Sequence, residues 1–173
     1  MDNIEQQILR LEEFLRQNYA KHLNEFTDSV LTEVCNQTDS VRGVFYIIDQ
    51  DTRIAHVKAG YALSLEKLAY STIRSGEGLT GEAIRLKQIL LFNDLPPGAI
   101  FSQTLTINIA PKSLIIIPLT FNDNVYGALE LASLTNYSDT CLQYLQAVSN
   151  SVTITLQSLL NTDRMQRLLA ERP

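Results

Sequence analysis

"SGEGLTGEAIRLKQILLFND", residues 75–94, is the stretch on which the reading of this chain turns. Gly76, Gly78 and Gly81 crowd into six residues and lead through a short helical pattern into an apolar strand. A loop that grips phosphate in the Walker manner needs a lysine and a hydroxyl directly after its last glycine, so that the lysine reaches the β- and γ-phosphates. Here Glu82 and Ala83 follow Gly81. The dinucleotide fingerprint needs a preceding strand and a wider glycine spacing, whereas "STIRSG", residues 71–76, reads as helix. Glu77 and Glu82 would also repel a phosphate. The chemistry favours a turn, with glycines supplying positive φ and Thr80 capping the helix that follows.

Strand patterns lie on both sides of that turn. "ILLFN" (residues 89–93) is followed by a polar, proline-containing stretch over residues 94–112. "SLIIIPLTF" (113–121) and "NVYGALELAS" (124–133) then form a hairpin around Asn122, Asp123 and Asn124. Upstream, "GVFYIID" (43–49) and "RIAHVKAG" (53–60) flank the short turn "QDT" and predict another hairpin. Residues 64–76 read as a short helix with Ser64 as its N-cap. Val44, Tyr46 and Ile48 share one strand face and Phe45 and Ile47 the other, while residues 114–117 are apolar on both. Strands apolar on both faces imply a sheet covered on both sides.

Helical zones bracket the strands. Ile4, Ile8, Leu11 and Leu15 recur at coiled-coil spacing, and the stripe continues through Tyr19, Leu23, Phe26, Val30 and Val34. Two successive steps of four at Leu15, Tyr19 and Leu23 mark a stutter or a break between helices. Asp2 with Glu5 suggests a capping box at the start. From Ser138, an N-cap, one long helix runs to about residue 171, with Leu142, Leu145, Val152, Leu156 and Leu159 as its apolar stripe. Arginines in its last turns complement the helix dipole. The expected class is α+β: an antiparallel sheet with the long terminal helices on one face, and short helices plus the 94–112 loop on the other.

Composition bounds the function. The 173 residues are 45% apolar and 19% charged, an ordinary globular balance that folds without disulfides or metal. A net charge of −5 argues against a nucleic-acid or anionic-membrane surface. No apolar run approaches the roughly 20 residues of a membrane span, and the acidic, amphipathic start lacks a signal-peptide core. Cys35 and Cys141 fall in helical patterns, as small buried hydrophobes of a reducing, cytoplasmic compartment do.

The motifs in order resemble a GAF domain. The glycine turn before a short helix is followed by Asp94-Leu95-Pro96 after the next strand. A small-Leu-x-x-x-Pro-Leu strand follows at residues 113–119, then a Gly-x-Leu-x-Leu strand at Gly127, Leu129 and Leu131. The resemblance covers residues 17–160, leaving 1–16 as a coiled-coil extension and 161–173 as a C-terminal helical one. It implies a sensory or regulatory module that binds a small molecule in a cavity and passes the change through its terminal helices. It also implies a homodimer formed through those helices, and an attached output domain such as a histidine kinase or cyclase. The charged helical stretch at the end of the chain suits continuation into such a domain.

Family chemistries can be weighed against these residues. A covalent bilin needs a cysteine near the cavity, and residues 94–112 contain none. Reduction of free methionine sulfoxide uses cysteines around the cavity, whereas Cys35 and Cys141 fall in the terminal helices. The constellation of cyclic-nucleotide-binding members has no counterpart that can be placed here. Haem would need His22 or His56 as an axial ligand; the first is helical, and the second shares a face with Lys58 in an edge-strand pattern. His22 and Cys35 on one helix stand ~20 Å apart, so they form no dyad, and no Cys/His spacing suits a metal. Asp49 and Asp51 flank a turn, where Asp serves backbone geometry. No catalytic residue is assigned.

Six residues are candidates for contact with a ligand. Glu130 is an acid in an apolar strand beside Ala128 and Ala132, whose small side chains leave room. Tyr46 offers a ring and a hydroxyl on a central strand. Asn93 and Asp94 end a strand beside the long loop, where turn chemistry is the competing role. Phe101 and Ile107 would close the cavity from that loop or anchor it to the core. A ligand-free dimerisation module, its cavity filled by its own side chains, is the alternative function; a small redox enzyme is the third.

Overall fold

A computed structural model describes residues 3–19, 22–64, 66, 72–98 and 110–172. Six strands form one antiparallel sheet in the order β3-β2-β1-β6-β5-β4. They are β1 (Arg42–Ile48), β2 (Ile54–Tyr61), β3 (Thr72–Arg74), β4 (Leu90–Phe92), β5 (Ser113–Phe121) and β6 (Asn124–Ser133). The helices described are α1 (Ile4–Asn18), α2 (Leu23–Gln37), α3 (Gly78–Leu86) and α4 (Asp139–Ala170). The class is α+β, as the sequence implies.

The turns follow their residues. Asn122 and Asp123 adopt φ of 47° and 66°, the paired left-handed conformation of a two-residue hairpin turn, and β5 and β6 pair tightly on either side. Asp49 Oδ1 accepts from the N–H groups of Asp51 and Thr52 in the β1–β2 turn. Pro118 is tolerated because β4 pairs with β5 only as far as Ile116, leaving Pro118 with β6 on one side and no described strand on the other. Ser138 Oγ accepts from Cys141 N, capping α4 as its residue type predicts.

The sheet separates two apolar layers. Phe45, Ile115, Ile117, Leu129 and Leu131 face the helices α1, α2 and α4, which contribute Leu11, Phe26, Val30, Leu145 and Val152. Val44, Tyr46, Ile48, Leu114 and Ile116 face the other way, under α3 with its Ala83 and Ile84. The helical zone at the start does break, between α1 and α2.

Four expectations change. Residues 72–74 form a strand paired to the start of β2, where sequence suggested helix; Glu66 is helical, and residues 65 and 67–71 lie outside the described residues. The β3–β2 pairing also makes β2 an inner strand at His56, although His56 is exposed as its pattern suggested. Asn3 is the N-cap of α1, and Asp2 lies outside the described residues. The α1 seam packs inside the chain: Leu11 and Leu15 are buried, and Ile4 and Ile8 lean on the same core. Heptad spacing alone does not say whether the partner helix belongs to the same chain, and here it is α4.

Candidate functional site

The glycine turn positions the first functional side chain. Gly76 has φ of 83°, and a Cβ at Gly81 would lie 2.4 Å from Arg74 O, so both positions require glycine. Arg74 N donates to Glu77 Oε2, Gly76 N to Gly81 O, and Gly81 N to Glu77 O. These amides are engaged within the turn, so a strand does precede the glycines but those groups present no phosphate cradle. Glu77, not Thr80, is the N-cap residue of α3. Thr80 lies inside the helix, and its buried hydroxyl crosses to the sheet.

Its target is Glu130. On β6 this residue lies between Val44 of β1 and Ile116 of β5, at the middle of the sheet and on the face beneath α3. Tyr46 O–H donates to Glu130 Oε2 at 3.0 Å and Thr80 O–H donates to the same oxygen at 2.8 Å. Glu130 is 1% exposed, and Tyr46 is fully buried. An acid taken out of water is tolerated only where donors meet it, and hydrogen bonds to a charged group each contribute about 1.5–3 kcal/mol. Ala128 and Ala132 flank it on the same face, and Ala128 stands opposite Tyr46. Two hydroxyl donors thus converge on one carboxylate oxygen, out of water.

Of the six residues singled out from sequence, Tyr46 and Glu130 come together. Asn93 and Asp94 do not join them. Asn93 Nδ2 donates to Tyr137 O and Tyr137 N donates to Asn93 Oδ1, each at 3.0 Å. Asn136 Nδ2 donates to Asp94 Oδ1 at 2.9 Å, and Asp94 N donates to Asn136 Oδ1 at 3.2 Å. Asp94 holds φ of 55°, the turn role that competed with ligand contact. Phe101 and Ile107 lie outside the described residues. Thr80 was missed as a site residue because its place just before Gly81 read as a cap; no local signal distinguishes a hydroxyl that caps from one that reaches a distant carboxylate.

The thiols and imidazoles of the chain do not join this cluster. Cys35 and Cys141 are the chain's two cysteines, and both belong to the helical side of the sheet. Burial pushes the Cys35 thiol up to about 12, and burial followed by the charge of Asp39 pushes Cys141 up to about 11. Both are thiols at neutral pH, the unreactive form. His22 and His56 are both exposed. Among the described residues no group of three or more His, Cys, Asp and Glu could hold a metal ion, and no helix is long and apolar enough to cross a membrane.

The profile of the GAF domain matches residues 20–157, and the chain belongs to the GAF domain family. No curated protein matches it. Among solved structures it is similar to the GAF domain of the Acinetobacter phosphoenolpyruvate-protein phosphotransferase, at 15% identity and a TM-score of 0.74, over 91% of this chain and 95% of that one. The GAF domain of the corresponding Coxiella burnetii protein gives 13% and 0.76, over 94% and 99%. The free methionine-R-sulfoxide reductase of Neisseria meningitidis, solved with its substrate, gives 13% and 0.73, over 92% and 91%. At these identities the likeness establishes the fold, which sensory domains and reductases share.

Proposed function

We propose that this chain is a sensory or regulatory domain of a cytoplasmic signalling protein. It takes a small molecule bearing hydrogen-bond donors, a protonated amine above all, against the Glu130–Tyr46–Thr80 cluster. The resulting shift passes through α1 and α4 to an output module. The observation that carries this reading is a carboxylate at the centre of an otherwise apolar sheet face, held by two hydroxyls on one oxygen. An apolar residue of similar volume is often as stable in a core, so the acid points to a polar role for this face.

A homodimer belongs to this proposal, but through a different surface from the one the heptad spacing suggests. Leu9 on α1 and Ile154, Met165, Leu168 and Leu169 on α4 are large apolar side chains more than half exposed. Residues 164–170, the last turns of α4, are exposed throughout, so the apolar side chains there are uncovered within the chain. The same surface supports the second reading, a dimerisation module without a ligand. A reductase function, suggested by the names of some structural neighbours, would need thiol chemistry at the Glu130 face, and both cysteines belong to the other.

A thermal-shift comparison tests the ligand reading. Free amino acids and other small primary amines, each paired with its N-acetylated form, are offered to the wild type and to Glu130→Gln. An amine that raises Tm where its acetylated partner does not, with the effect lost in Glu130→Gln, is the expected result. Equal shifts in both proteins, or none with any compound, would overturn it.

A further inference from the structure

The four side-chain and backbone bonds that join Asn93 and Asp94 to Asn136 and Tyr137 tie the end of β4 to the residues just before α4. On one side of this clasp, Phe92 and Leu95 flank the Asn93–Asp94 pair and pack against the apolar cluster of the Glu130 face. On the other side, Ser138 caps α4 directly after Tyr137. The Tyr137 hydroxyl lies 2.8 Å from Ser40 Oγ, and Ser40 Oγ lies 2.7 Å from Thr38 Oγ1. Thr38 donates its proton to Val34 O in the last turn of α2. Each hydroxyl has one hydrogen, so the direction is fixed: Tyr137 donates to Ser40, Ser40 to Thr38, and Thr38 to the α2 carbonyl. Tyr137 belongs to the helical-side core, so its two sets of bonds bridge the layers at one end of the sheet.

We infer that this clasp is the mechanical link by which a change on the Glu130 face reaches the start of α4 and the end of α2. The inference rests on the reading of that face as the ligand site. The competing route runs along β6 itself, from Glu130 to Ser133 and on into residues 134–138. The clasp is positioned to dominate because Asn93 and Asp94 approach α4 from outside β6 and meet it through paired, two-way hydrogen bonds. A displacement of Phe92 or Leu95 therefore pulls on the backbone of Tyr137 and, through its hydroxyl, on α2. A substitution in the cluster serves as the perturbation, so no ligand is required.

Hydrogen–deuterium exchange on the full chain tests it. Thr80→Val and Tyr46→Phe each remove one hydroxyl from the Glu130 cluster at nearly constant shape. In the otherwise native chain each is expected to change exchange at residues 136–145 and 36–41 by about threefold to tenfold, the scale of one hydrogen bond. In the Asn93→Ala/Asn136→Ala background the same substitutions should leave those segments unchanged. Both asparagines are exposed, so the background should fold. Were it not to fold, Asn136→Ala alone removes the Asp94 half and should reduce the response. A response of equal size with and without the clasp would assign the coupling to β6 and overturn the inference, as would no response in the native background. This outcome is independent of whether the thermal-shift comparison finds a ligand.

Discussion

The two faces of the sheet bury their residues to different ends. On the helical side, three helices and the strands bring together large apolar side chains, and Ser138 and Thr38 there serve a helix cap and a helix end. On the other side α3 packs over the described part of the face, and a carboxylate stands at its centre. Two buried tyrosines make the contrast concrete. Tyr46 on the Glu130 side donates to that carboxylate, whereas the Tyr144 hydroxyl on the helical side has no hydrogen-bond partner among the described residues. One face is built to hold the fold, and the other keeps a polar group where packing alone would not place it.

Substitutions sharpen this difference in order of size. Leu11→Ala removes a buried side chain between α1 and the helical core and should cost about 2–5 kcal/mol in urea unfolding. The exposed Leu168→Ala should stay within about 0.5 kcal/mol, and Leu168→Glu should shift sedimentation from dimer to monomer. Equal costs for Leu11→Ala and Leu168→Ala would mean that α1 does not share the core as described.

Glu130→Ala strands two buried hydroxyls and should cost about 2–4 kcal/mol despite removing an acid from an apolar face. Tyr46→Phe should cost about 1.5–3 kcal/mol, while Tyr144→Phe should be neutral or slightly stabilising, since its hydroxyl forms no bond among the described residues. Equal effects at the two tyrosines would dissolve the contrast between the faces.

The smallest effect lies in the pH dependence. The Cys35 thiol is raised from 9.0 to about 12 by burial, so the unfolded chain releases this proton first as pH rises. Its contribution to stability is therefore whole below pH 9 and is lost progressively as pH climbs towards 12. Cys35→Ala should flatten that alkaline decline in an equilibrium unfolding series; an unchanged slope would mean the thiol is more accessible than its burial implies.

Much of the architecture was legible because it rests on local chemistry. The Asn122–Asp123 turn, the Ser138 cap and the two-faced apolar strands each follow from residue type and spacing. The glycine turn was legible as a turn, though not the strand before it: "TIR" is too short to show a period, and its pairing with β2 is a long-range fact. Glu130 and Tyr46 stood out singly, as a charge in an apolar run and a hydroxyl on a central strand, but their contact spans 84 positions and depends on the β1–β6 register. Asn93 and Asp94 stood out as strand-end polar residues with turn chemistry as the competing role, but their contacts with Tyr137 and Asn136 span 44 and 42 positions and left no local signal. The α1 seam was legible as a seam, but its partner helix was not.

The most direct test of the account is mass spectrometry of the purified wild type and Glu130→Gln, under native and then denaturing conditions. The account predicts a dimer of the wild type carrying a small mass that denaturation releases, and a dimer of Glu130→Gln without it. The same adduct on both proteins, or a wild-type dimer with none, would contradict a ligand held at Glu130.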